Sequence, residues 1–126
     1  MDGSTCHLKS TAIEFLQSAA AGKVDEAYQL VVPNFCHHNP YFQADAESLK
    51  SAMRENARLH PDKTFEVQRA LVDGDWVAVH SRVSMPSTAM TIAVVHLFRF
   101  EAGKIAELWD VGQAQPESMA NQLGMF

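Results

Sequence analysis

Apolar positions along this chain repeat with two different periods, and the change between them divides it near the middle. Leu8, Ala12, Phe15, Leu16 and Ala19 recur at helical spacing, with Ser4 or Thr5 available as a cap and Gly22 as a terminator. A second, short helix is expected over about residues 24–31, stopping before Pro33, and an irregular stretch follows. Asp45 can then cap a third helix that carries Leu49, Met53, Asn56, Ala57 and His60 on one side and ends at Pro61. From Thr64 the period falls to two. Phe65, Val67, Arg69 and Leu71 alternate with Glu66, Gln68 and Ala70, and Asp73-Gly74 is a two-residue hairpin signal leading into Trp76 to Val83. After a longer connection around residues 85–90, Thr91 to Asp110 reads as a second hairpin.

Pairing arithmetic turns these strands into faces. With Glu101-Ala102-Gly103 as a three-residue loop, Phe100 faces Lys104, and His96 and Asp110 fall on one side of the sheet, diagonally across neighbouring strands. The Asp73-Gly74 turn places His80 opposite Val67, on the face of Phe65, Leu71, Trp76 and Ala78, and an even pairing across the longer connection sets His80 opposite His96. That face also collects Val94, Phe98, Phe100 and Leu108. Val77, Val79, Val95 and Ile105 accompany Ser81, Arg99 and Glu107 on the other, read as the outer or oligomer-facing side. Three helices followed by about four antiparallel strands predict an α+β fold, with helices packed on one side of a curved sheet and room for a pocket between them.

Composition narrows the class. A chain of 126 residues makes one domain, spanning 1–126. Hydrophobic residues are 47% and charged ones 20%, and no apolar run approaches the roughly 18 residues of a membrane span, so no membrane role is expected. The start of the chain lacks the basic and apolar regions of a signal peptide, which predicts a cytoplasmic protein. With a net charge of -5 and no cluster of Lys and Arg, nucleic acid is a poor partner. Cys6 and Cys36 have neither metal nor redox spacing and are read as reduced thiols, Cys36 as a small buried apolar residue.

The segment Phe35-Cys36-His37-His38-Asn39-Pro40, then His80, then the run from His96 through Phe98-Arg99-Phe100 to Trp109-Asp110-Val111, with the closing Asn121, Gly124 and Phe126, resembles the SnoaL-like polyketide cyclases of the nuclear transport factor 2-like superfamily. That resemblance implies a cone-shaped α+β barrel around an apolar cavity, in a homo-oligomer, here a homodimer. It also implies an intramolecular aldol condensation without a cofactor, in which an aspartate and a histidine exchange protons. Those roles carry over to Asp110 and His96.

The residues suit this chemistry. An aldol closure needs a base to take a proton α to a carbonyl and donors to hold the enolate. Asp110 fits the first need, His96 with His80 beside it the second, and Asn39, His38, Trp76, Phe98 and Trp109 are candidate contacts to a small hydrophobic ligand. Each has a plainer reading. Asp110 could cap a turn and His96 be a satisfied core imidazole, while His38-Asn39-Pro40 could be a fixed corner, since Pro40 forces Asn39 into an extended conformation. His37, diverging from His38, is expected at the rim or in solvent, and His60 at a helix end is structural. Arg69 and Arg82 are expected solvated, and the methionines to fill gaps. Two rivals remain open: His38, His80, His96 and Asp110 as ligands of a metal, for which no close spacing argues, and a non-catalytic ligand-binding or oligomerisation module. No metal and no cofactor are expected.

Overall fold

The computed structural model describes residues 3–126, with side chains from His7 onward. Helix α1 (Gly3–Ala20) buries Leu8, Ala12, Phe15, Leu16 and Ala19 along one stripe, as their spacing requires, and ends before Gly22, whose φ of 85° only glycine adopts freely. The proposed caps Ser4 and Thr5, and the Cys6 thiol, lie outside the described side chains. Helix α2 (Val24–Ala27) is shorter than expected and passes into a 3₁₀ turn, Tyr28–Leu30. In α3 (Ala46–Leu59) the Asp45 carboxylate accepts the Ser48 N–H at 2.9 Å, the N-cap bond its position calls for.

The stretch expected to be irregular is a strand. β1 (Val31–His37) pairs in parallel with β5 (Lys104–Ala114) and contains Pro33. An edge strand tolerates proline because one side of its backbone has no ladder to complete. With β2 (Thr64–Asp73), β3 (Trp76–Met85) and β4 (Met90–Glu101) the sheet has five strands in the order β1-β5-β4-β3-β2, antiparallel except at β1. Since β1 and β2 are its two edges, the curved sheet is open and does not close into a barrel. The fold is α+β, with the helices over one sheet face.

Two bulges and two turns set the register of the antiparallel strands. The β4–β5 loop has two residues, not three: Ala102 and Gly103 both take positive φ, 49° and 81°, and Glu101 pairs with Lys104. The pairing slips once at Ala106, after which Arg99 faces Glu107 and His96 lies directly opposite Asp110. On the other side the turn is Gly74-Asp75 rather than Asp73-Gly74, so Asp73 pairs with Trp76, and Gln68 bulges out of β2. His80 consequently faces Arg69, not Val67. Across to β4 it faces Val95, while His96 faces Val79.

All of β3 is thereby turned over relative to the expectation. Val77, Val79 and Ser81 are fully buried on the helix-facing side, whereas Trp76, Ala78 and His80 face outward with Arg69 and Leu71. At the end of the sheet near the two hairpin turns, Phe98, Phe100, Ile105 and Leu108 join Val77 and Val79 beneath Phe15 and Phe35 to form the core. The Phe15 ring stands edge-on to Phe98 at 6.0 Å. Among the described residues, no helix is long and apolar enough to cross a membrane.

Candidate functional site

Toward the other end of the sheet the helices and strands leave a cavity of about 320 Å³, within the usual range for small-molecule sites. Leu16 and Ala19 of α1 and Leu49 and Met53 of α3 roof it, and Phe65, Val83, Met85, Ile92 and Val94 floor it. Among the described residues, five polar side chains reach it: Asn39, Asn56, Lys63, His96 and Asp110. His96 and Asp110 mark the boundary between cavity and core, because the next inward residues, Phe98 and Leu108, belong to the core.

Strand alternation explains how these groups converge. A directly opposed antiparallel pair brings the Cβ atoms of His96 and Asp110 to about 4.5–5.5 Å. In β1 and just beyond, Phe35, His37 and Asn39 share the inner face, which carries the Asn39 amide to Asp110: its Nδ2 donates to Asp110 Oδ2 at 3.0 Å, and its Oδ1 accepts the Tyr41 N–H at 3.0 Å. His37 is correspondingly buried rather than at the rim. Its Nε2–H donates to the Gln43 carbonyl at 2.5 Å and its Nδ1 accepts the Asn39 N–H at 3.1 Å, so one neutral tautomer ties the corner together.

Burial pushes His96 down to about 4, partly opposed by the Asp110 charge, so its imidazole is neutral near pH 7. Its Nδ1 is buried and has no hydrogen-bond partner among the described residues. A buried imidazole nitrogen without a partner is costly.

The remaining candidates stand elsewhere. His80, expected beside His96, lies on the outer face, where Arg69 donates to its Nδ1 and its ring stacks against Phe126 at 6.1 Å. Trp76 also faces outward, at 40% exposure, against Trp109 at 5.5 Å. Trp109 is an outer-face residue because it alternates with Leu108 and Asp110, and His38 stacks on it at 4.6 Å while its Nε2 meets Glu107 at 2.5 Å. Phe98 is on the inner face, but the Phe15 ring fills the space above it. With His38 and His80 across the sheet from His96 and Asp110, the four cannot converge on one metal ion. Cys36 is half-buried, and burial together with the Glu107 carboxylate pushes its thiol up, away from the reactive thiolate.

Lys63 and Asn56 complete the polar lining. Lys63 Nζ donates to Asn56 Oδ1 at 2.5 Å, and burial pushes the ammonium down from its ordinary value. Asn56 was legible on the inner face of its helix, but Lys63 reads as part of a turn after Pro61. Extending the two-residue period of Phe65 and Val67 back one step would have placed it on the inner face.

The SnoaL-like domain is matched across residues 12–108, from the first helix to the last strand. The chain belongs to the SnoaL-like family. No curated protein matches this SnoaL-like chain in sequence. Solved structures share its fold at low identity. A putative hydroxylase, AclR, from Streptomyces galilaeus superposes with a TM-score of 0.75 at 19% identity, over 86% of this chain and 90% of that one. A putative polyketide cyclase from Bacillus cereus ATCC 10987 gives 0.74 at 22%, over 85% and 74%. A SnoaL-like protein of unknown function from Burkholderia thailandensis E264 gives 0.72 at 18%, over 86% and 96%.

Proposed function

We propose that this SnoaL-like protein is a cofactor-free acid–base enzyme that closes a carbon–carbon bond within a small hydrophobic carbonyl compound by aldol condensation. The observation that carries this reading is the direct opposition of His96 and Asp110 at the inner end of a mostly apolar cavity. Asp110 takes the proton from a carbon α to a carbonyl, and the electron pair passes to the carbonyl oxygen as an enolate. The α-carbon then attacks a second carbonyl of the same molecule, forming the new bond. The resulting alkoxide takes the proton back from the Asp110 carboxyl. Neutral His96 offers an N–H to the enolate oxygen without bringing a full charge, and Asn39 holds one carboxylate oxygen so that the other is free to accept the proton. The apolar walls exclude water and hold the reactive conformer, as intramolecular closure requires. The name of the Bacillus cereus neighbour, putative polyketide cyclase, accords with this reading.

Proton abstraction can be followed without knowing the natural substrate. Aryl ketones such as 2-tetralone, incubated with the protein in D₂O, are expected to exchange their α-protons for deuterium, read by proton NMR. Asp110→Asn, nearly isosteric, is expected to slow exchange at least about a hundredfold while leaving the circular dichroism spectrum unchanged. Equal exchange by both proteins would remove Asp110 from the role of base.

A further inference from the structure

Lys63 lines the cavity from the entrance of β2, is half-buried, and among the described residues has no carboxylate within 4.0 Å. Lys50, Arg54, Arg58 and Arg99, by contrast, each meet an acidic partner. An ammonium has three N–H donors, and Asn56 Oδ1 engages one, fixing the head group while leaving the others unused. A half-buried cation without a counter-ion is unfavourable unless a ligand brings one. Lys63 also borders a second pocket, which it shares with Arg54 and Arg58, so its ammonium stands between the cavity and the surface.

Its position relative to His96 gives the ligand a length. Phe65 pairs with Val83, and Val83 with Ile92, which precedes His96 by four residues on β4. Lys63 stands two residues before Phe65, level with Met85 and Met90, so six residues of strand, roughly 20 Å, separate its backbone from that of His96. Between the two ends the walls are Val83, Ile92, Val94 and Leu49. We propose that Lys63, positioned by Asn56, is a specificity residue that binds the carboxylate or similar acidic oxygen group of an elongated apolar ligand, whose other end lies against His96 and Asp110. This rests on reading the cavity as the ligand site.

The test uses two fluorescent probes with the same aryl body: 1-anilinonaphthalene-8-sulfonate, which carries an anion, and N-phenyl-1-naphthylamine, which does not. Fluorescence titration at fixed ionic strength is expected to show the sulfonate binding about tenfold or more tightly, as a charge-assisted hydrogen bond provides. Lys63→Met is expected to abolish that preference and leave the neutral probe within about twofold, and Lys63→Arg to retain it. Equal affinities in the unaltered protein overturn the proposal whatever the variants do, as does a Lys63→Met protein that keeps the preference or weakens both probes alike. Neither probe has a proton α to a carbonyl, so ketone exchange can fail while the anion preference holds, and the two readings fall separately.

Discussion

The Asn39 amide is engaged at both ends, by the Tyr41 N–H and by Asp110 Oδ2, and this gives the residue a role that a simple turn would not require. Pro40 keeps the backbone of Asn39 extended, the Tyr41 N–H fixes which way the amide points, and its NH₂ group is thereby aimed at the carboxylate. A carboxylate held this way loses little freedom on meeting a ligand, and in the proposed role of base its displacement would be costly in rate. Asn39→Ala is expected to lower the rate of 2-tetralone exchange about tenfold with little change in KM. Steady-state kinetics on the variant and its parent check this, and a fall in affinity alone would make Asn39 a binding residue rather than one that positions Asp110.

At the scale of elements, single-residue irregularities decide which groups meet. The helical stripe of α1, the Asp45 cap and the change of period at Thr64 were all legible, because each rests on local spacing or one side-chain bond. The shared face of His96 and Asp110 was legible for a partly mistaken reason: the loop is one residue shorter than read, and the bulge at Ala106 restores the parity that this removes. No such compensation occurred for β3. The later start of its turn changes the pairing sum by two and keeps the parity, but Gln68 bulges and the pairing with β4 is odd, so His80 and Trp76 were assigned to the wrong face. A bulge is a long-range compromise between strands and leaves almost no local signal, whereas β1 was concealed by a proline that only an edge strand accepts. This account predicts an asymmetry between two deletions of exposed residues. Removing Gln68 regularises β2 without turning any neighbour over, and is expected to cost under about 1 kcal/mol; removing Arg82 reverses half of β3 and is expected to cost several. Urea denaturation of both variants checks it, and equal losses would mean that Gln68 carries more than a bulge.

For the whole molecule, the division of one sheet face into a packed end and an open end sets what His96 does to stability. The core side must exclude water to hold Phe15, Phe98 and Leu108 together, and His96 stands at its margin, where burial outweighs the attraction of the facing Asp110 charge and pushes the imidazole from 6.5 down to about 4. The unfolded chain therefore binds this proton more readily than the folded one. Stability from the neutral imidazole is full above about pH 6.5 and is lost as pH falls through that value toward 4. Carboxylates that do not face His96 affect both proteins in common, so the informative quantity is a difference. His96→Phe keeps the apolar volume and removes the titration. The stability of the unaltered protein relative to His96→Phe is expected to fall as pH is lowered from 7 to 4, with the change concentrated between about 6.5 and 4. Chemical denaturation of the two proteins at a series of pH values measures it. Parallel stability profiles would show that the imidazole is solvated in the folded state, and would take His96 out of the margin of the core.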